Sequence, residues 1–367
     1  MDETVYLAAL NKCFHGNWRI AHNLLQCMGQ AETIFSSGAG TLRRLLPGQD
    51  TAVQLLTSGQ AVEEAGREME LCRREGIEVI SINDDEYPSR LAETPDAPLI
   101  LFKKGCRRLN GSRFLSIVGT RHCTHYSKKY CDMVAEYLSS LRVKPVIVSG
   151  MAYGIDSYAH QSALRYGLDT FAVTATGLDT VYPASNRILA SKIEERGAII
   201  TEYWTGTTPF AQYFVSRNRI IAGISDATVV VESRIRGGSL ITARAAFNYD
   251  RDVFAFPGKL EDESFQGCNM LIAEDIARLV TGPGSICRAL GWSQERGASG
   301  RRGRDISSLS EEKKAVLKTM DCGEGMDAAQ IAACCRKDVS QVSFLLMELE
   351  FEGYVRHISA NKYVSLI

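Results

Sequence analysis

The sequence lacks any apolar run of the 18 or more residues that a bilayer span requires, and residues 1–10 lack the charged-then-apolar pattern of a secretory leader. A cytoplasmic chain with no membrane span is therefore expected. It also lacks any Cys-x-x-Cys pair. Its 11 cysteines are scattered from Cys13 to Cys335, which argues against a disulfide framework and leaves most of them as small buried hydrophobes. Net charge is nearly absent, with 42 Lys and Arg against 43 Asp and Glu, so any nucleic-acid surface has to be a local basic patch. After the β-branched run ending at Val118 only Gly119 follows, without the further glycines of G-x-G-x-x-G, which excludes a dinucleotide-binding dehydrogenase. No cofactor is expected.

What is present is the composition of an ordinary globular protein: 367 residues, 45% hydrophobic and 23% charged, enough for two or three domains. Residues 1–75 read as short helices stopped at Gly16, Gly29 and Gly48, an N-terminal helical domain of SAM- or helix-hairpin-like type. Residues 76–290 form the core. Strands are predicted at 77–82 and 99–102, then at 115–118, 146–149, 171–174, 198–201, 228–231 and 253–256, alternating with helices from Phe114 onward. That alternation is the signature of a doubly wound parallel α/β sheet. Residues 291–309, rich in Gly, Ser and Arg, read as a flexible linker. Residues 310–367 read as helices over 310–320, 328–335 and 338–352 and a hairpin of 354–358 with 362–366, a winged helix. Its third helix carries Glu348, Glu350 and Glu352, which would repel phosphates, so a protein-contact or regulatory role is expected there.

The stretch 209–246 concentrates the chemistry. Its strand 228–231 is a β-branched run suited to burial on both faces of a parallel sheet. Before the strand, Arg217-Asn218-Arg219 stands beside Phe214, a pairing of phosphate clamp and stacking ring that suits single-stranded nucleic acid. The alternative is a helix whose arginines snorkel. After the strand, Gly237-Gly238-Ser239 opens a helix, and backbone N–H groups at a helix N-terminus form an anion site.

In open α/β sheets ligands lie outside the carboxyl ends of the strands. Gly119-Thr120-Arg121, Gly150 to Asp156 with Met151 and Tyr153, Gly177-Leu178-Asp179, Glu202-Tyr203, Glu232 to Ser239 with its Gly237-Gly238-Ser239 turn, and Pro257-Gly258 are therefore expected to converge. Asp156 and His160, four apart on one helix, read as a hydrogen-bonded structural pair, because no serine or cysteine nucleophile is placed to complete a triad. Glu202 and Glu232 each end a strand, which keeps a nucleotide-directed hydrolase, N-glycosidic or phosphate, as the rival reading. His122, Cys123, His125 and Cys131 are of zinc-ligand type, but adjacent residues do not easily converge on one metal, and a polar loop without metal is expected.

Taken in order, these segments resemble the DprA/Smf family of DNA-processing proteins. The resemblance rests on Ile117-Val118-Gly119-Thr120-Arg121, Ser149-Gly150-Met151-Ala152-Tyr153-Gly154-Ile155-Asp156 with His160, and Gly177-Leu178-Asp179 leading to Tyr182-Pro183 and Asn186. It continues through Thr201-Glu202-Tyr203, Phe214-Val215-Ser216-Arg217-Asn218-Arg219, Gly237-Gly238-Ser239-Leu240-Ile241-Thr242, Phe256-Pro257-Gly258 and Gly267-Cys268-Asn269. It implies an extended Rossmann-like core without an established reaction. Such a core would bind and protect single-stranded DNA in a basic pocket, pair as a homodimer, and help load RecA recombinase in natural transformation. Carried onto this sequence, Arg121 would contact phosphate, Phe214 would stack on a base, Arg217 and Arg219 would line or support the pocket, and the Gly237-Gly238-Ser239 turn would supply backbone donors.

The sequence departs from the family pattern at three places. Tyr153 stands where many members carry arginine, Ala211 where lysine is common, and Ala184 where some also have lysine. The resemblance thus implies a pocket less basic than its relatives, with weaker or more salt-sensitive binding and a larger share carried by Arg121.

Overall fold

The computed structural model describes residues 2–111, 113–292, 309–320, 325–352, 354–358 and 362–365. They fall into two compact units, Met1–Gln294 and Glu295–Ile367. Most of the predicted linker, residues 293–308, lies outside the described residues. Trp292, also assigned to that linker, instead packs into the first unit: its N–H donates to the Cys287 carbonyl at 2.9 Å and its indole is buried.

The first unit begins with six helices: α1 (Glu3–Cys13), α2 (Trp18–Met28), α3 (Ala31–Ser36), α4 (Ala39–Leu45), α5 (Asp50–Thr57) and α6 (Gln60–Arg74). The Asp2 carboxylate caps α1 by accepting from the Thr4 N–H, and Gly29 stops α2 at φ +83°. The apolar faces of these helices close on Leu7, Leu10, Ile34, Leu42 and Leu56, and the cluster runs on through Leu99 into Ile100 and Phe102 of the sheet.

The sheet region follows as β1 (Glu78–Ser81), α7 (Ser89–Ala92), β2 (Ile100–Lys104), β3 (Phe114–Val118), α8 (His125–Ser139), β4 (Val146–Ser149), α9 (Ile155–Arg165) and β5 (Thr170–Val173). It continues with α10 (Arg187–Arg196), β6 (Ala198–Thr201), α11 (Ala211–Ile224), β7 (Ala227–Val230), α12 (Ser239–Asn248), β8 (Asp252–Ala255), α13 (Gln266–Ala273), β9 (Arg278–Leu279) and α14 (Pro283–Ala289). Among the described residues these strands form one nine-stranded sheet in the order β1-β2-β6-β5-β4-β3-β7-β8-β9. The pairs β1–β2 and β2–β6 are antiparallel and the others parallel. The central strands read as continuous apolar runs because helices cover both their faces. Cys131 and Val134 of α8, Ala159 of α9 and Ile286 of α14 lie over one face; Ile220 of α11, Leu240 of α12 and Leu271 of α13 lie over the other.

From β3 the chain winds outward through β4 and β5 to β6, and α11 then returns it to the opposite side of β3, where β7 begins. The strand order reverses between β3 and β7, and the crevice at their carboxyl ends is the place where such sheets hold ligands.

The second unit contains α15 (Glu311–Thr319), β10 (Met326–Asp327), α16 (Ala328–Cys335), α17 (Val339–Phe351), β11 (Val355–Ile358) and β12 (Lys362–Ser365), with the strands ordered β10-β12-β11. Val316, Ile331, Val342, Leu346 and Leu349 form its core, and Asp327 with Gln330 makes a reciprocal capping box at α16. Lys313 Nζ holds Glu348 at 3.0 Å and Glu352 at 2.7 Å, so these two carboxylates are paired internally. Among the described residues no helix is long and apolar enough to cross a membrane.

Candidate nucleic-acid interface

A cavity of about 770 Å³ opens at the β3/β7 crevice. Three segments build its walls: the loop Gly119-Thr120-Arg121 after β3, the N-terminal half of α11 with Phe214, Arg217 and Asn218, and the turn Gly237-Gly238-Ser239 that begins α12.

The loop after β3 is fixed from two sides. Thr120 N–H donates to the Glu232 carbonyl at 2.8 Å, and the Glu232 carboxylate accepts from the N–H and hydroxyl of Thr124 at 2.8 and 3.0 Å. On the other side, the Thr120 carbonyl accepts from Ile155 N–H at 3.1 Å, while Gly154, at φ +77°, lies flat against the backbone of Thr120 and Arg121. A Cβ at Gly154 would stand 2.6 Å from the Arg121 carbonyl. This is a position only glycine fills. Arg121 itself is exposed and makes no ion pair or hydrogen bond among the described residues; its guanidinium lies 5.3 Å from the Phe214 ring centroid.

At the start of α12, the N–H groups of Gly238 and Ser239 have no acceptor among the described residues. The helix dipole reinforces them. Asn218 Nδ2 donates to the Gly238 carbonyl at 3.4 Å and steadies the turn, and Ser239 Oγ donates to Ser233 Oγ at 2.9 Å. Tyr182 completes an aromatic wall, its ring 5.5 Å from that of Phe214. A free guanidinium, orphan backbone donors and two rings around one crevice can hold phosphate oxygens and accept any base by its π-face.

Arg217 is buried beneath the cavity. Its Nη1 donates to the carbonyls of Gly150, at 2.6 Å, and Val173, tying together the carboxyl ends of β4 and β5. Burial lowers its pKa to about 10, against the opposing pull of Asp156. Both Nη atoms and Asp156 Oδ2 would lie 2.6 Å from a Cβ at Gly150, so glycine there makes room for a buried guanidinium and carboxylate. Burial raises the Asp156 pKa, with Arg217 opposing.

Of the strand endings expected to converge, Gly177-Leu178-Asp179, Glu202-Tyr203 and Pro257-Gly258 lie outside the first cavity, as do several single residues named from sequence. Ser149 is buried and donates to the Ile117 carbonyl at 2.6 Å; the Met151 side chain packs inward against Ala190 and Ile193. Tyr153 is exposed on a neighbouring cavity. Arg219 does not line the first cavity either. Two residues along a helix are about 200° apart, so Arg217 and Arg219 leave α11 on opposite sides. Arg219 turns toward the N-terminal helices, pairs with Glu202 at 2.5 Å, and sits 4.9 Å from the Trp18 ring. The Asp156–His160 pair is also corrected: His160 Nδ1 bonds Thr170 Oγ1 at 2.7 Å instead. Glu202 and Glu232 are both buried, engaged by Arg219 and Thr124, and neither lines the cavity. The hydrolase reading therefore loses its acid and base. Cys131 is sealed in the sheet–helix core while His122 faces the cavity, so that set does not come together. Sequence reasoning passed over His122 and Tyr182 as lining residues, and Ala211, the lysine departure, does line this cavity.

Fold and site together define an open α/β protein whose switch-point crevice is lined by a guanidinium, backbone donors and aromatic rings. The chain belongs to the DNA recombination-mediator protein A family, whose model matches residues 78–291. The resemblance to DprA/Smf proteins read from the motifs is borne out. The chain is 44% identical over 201 residues to DNA processing protein DprA of Streptococcus pneumoniae, covering 55% of this chain and 70% of the relative. The X-ray structure of DprA from Streptococcus pneumoniae matches with TM-score 0.66 and 33% identity, over 78% of this chain and 97% of that one. A structure of DNA processing protein A from Helicobacter pylori, described for its single-stranded DNA binding mode, matches with TM-score 0.53 and 29% identity, over 58% of this chain and 95% of that one.

Proposed function

We propose that this chain binds single-stranded DNA in the first cavity, with little sequence selectivity, and acts on it without catalysis as a DNA-processing protein. The observation that carries the reading is the unpaired Arg121 guanidinium, 5.3 Å from the Phe214 ring centroid, in one cavity with the orphan donors of α12. Phosphate and ring contacts of this kind read no base edges. The family relationship and the Helicobacter pylori structure's stated single-strand binding support it.

The finer role follows the same reading. The protein would protect the strand in the cytoplasm, work as a homodimer, and help load RecA recombinase in natural transformation. Gly119, Thr120, Arg121, Phe214, Asn218, Gly238 and Ser239 are the contacting residues; Ser149, Gly150, Met151 and Arg217 support the floor. Residues 1–75 act as an N-terminal helical module, residues 310–367 as a winged helix for protein contact.

Fluorescence anisotropy of labelled single-stranded and duplex oligonucleotides, at two salt concentrations, tests the core claim. A single-strand preference that weakens with salt and collapses in Arg121→Ala is expected; equal affinity for duplex, or an Arg121→Ala isotherm overlaying wild type, overturns it. RecA filament formation on strands coated by this protein, and mass measurement in solution, test the finer role.

A further inference from the structure

A second cavity, of about 710 Å³, adjoins the first. Arg121 and His122 belong to the walls of both, so the exposed guanidinium of Arg121 stands at their shared boundary. Beyond it lie Tyr153, with 51% of its surface in solvent, and Tyr158, with Lys128 Nζ 4.5 Å from its ring centroid. No carboxylate lines this cavity, and among the described residues the Lys128 amine is engaged by the Tyr158 side chain, not by an acid. The wall is therefore cationic and aromatic with nothing to neutralise it internally.

The loop that carries Tyr153 is held before any ligand arrives. Asn186 Nδ2 donates to the Met151 carbonyl and to Ser157 Oγ, both at 2.8 Å, and Ser157 Oγ donates to the Ala152 carbonyl at 2.6 Å. A ring fixed on such a loop offers stacking area at little ordering cost.

We propose that the second cavity is a further nucleotide subsite on the same strand. The strand passes from Phe214 across Arg121, which holds the phosphate between the two subsites; the next base stacks on Tyr153, and Lys128 faces the following phosphate. This rests on the single-strand reading above and adds a path to it.

The test is anisotropy with a ladder of labelled oligothymidylates of about 3 to about 12 nucleotides. Wild-type affinity should climb with length until both cavities are filled. Tyr153→Ala should leave the shortest oligomers at wild-type affinity and bind the long ones about 5- to 150-fold more weakly, the loss of one stacked base, while Tyr153→Phe retains wild-type behaviour. Lys128→Ala should reduce the salt slope by about 0.7 on long oligomers only. Retained binding of the shortest oligomers shows that the variants are folded. Tyr153→Ala matching wild type at every length, or losing the same factor at every length, overturns the subsite and leaves the first cavity standing. Wild type that binds no length of strand overturns both.

Discussion

The guanidinium carbon of Arg121 lies 5.3 Å from the centroid of the Phe214 ring, which puts a free cation and an aromatic face on one side of the crevice where the strand order reverses. In the proposed complex the two groups answer different parts of a nucleotide, so their removal should leave different signatures. Arg121→Ala should weaken single-strand binding about tenfold or more and flatten the salt dependence by about 0.7 in log–log slope, the share of one phosphate contact. Phe214→Ala should cost about 1–3 kcal/mol of affinity with the slope nearly unchanged. Titrations at several salt concentrations separate them; the same slope change in both variants would mean that the ring does not stack on a base.

Gly154 reaches the same site through the backbone. At φ +77° and ψ −130° it occupies a region that side chains avoid, and a Cβ would meet the backbone of Thr120 and Arg121. Gly154→Ala is expected to cost about 1–3 kcal/mol of stability and, by displacing the Arg121 loop, to weaken strand binding as well. Denaturation followed by tryptophan fluorescence measures the first effect for the first unit alone, because Trp18, Trp204 and Trp292 all lie in it. A variant of wild-type stability and affinity would show that the loop yields freely.

How far the sequence went is visible in particular residues. The core strands were legible because each is a short β-branched or apolar run between glycine and polar stops. The spans 146–149 and 198–201 match β4 and β6, and β5, β7 and β8 lie one residue earlier than expected. β1 and β3 differ by one residue at their ends, β2 runs two residues further, and the two-residue β9 was not expected. The convergence of the loops after β3 and β7 followed from strand order, a topological rule. Side-chain direction was harder. Arg217 and Arg219 were read together although helix geometry sends them to opposite sides. Asp156 and His160 have the spacing of a helical pair, but Arg217 from α11 and Thr170 from β5 draw them apart. The second cavity had no local signal, since α8, α9 and the Asn186 turn build it jointly.

The Arg219–Glu202 pair supplies a check on that correction. Glu202 is buried, and burial raises its pKa while Arg219 opposes the rise. Arg219→Met leaves a buried carboxylate without its partner, at an expected cost of about 3–5 kcal/mol, and the double variant with Glu202→Gln should recover most of it. Removing the cation lets burial raise the carboxyl pKa further, so the single variant's deficit should shrink as pH falls and the group becomes neutral. Single-strand affinity of the folded variant should stay near wild type, since Arg219 is outside the first cavity. Retained stability with lost binding would return Arg219 to the DNA site.

His160 makes the first unit sensitive to acid. Its ring is fully buried, and Thr170 Oγ1 donates its one proton to the Ile147 carbonyl, so it accepts from His160 Nδ1–H and leaves Nε2 bare and without a partner among the described residues. Burial first, and the Arg217 charge second, hold the His160 pKa down at about 3, against about 6.5 in an unfolded chain. Between those values the unfolded chain binds a proton that the folded chain refuses. The contribution of neutral His160 is therefore fully present above about pH 6.5 and is lost progressively as pH falls toward 3, by up to about 1.4 kcal/mol per pH unit. His160→Gln, which cannot take up that proton, should lower stability at neutral pH yet lose less of it on acidification, flattening the pH profile of tryptophan-monitored denaturation between about pH 6 and 4. A variant with the wild-type slope over that range would mean that His160 already carries its proton in the folded protein.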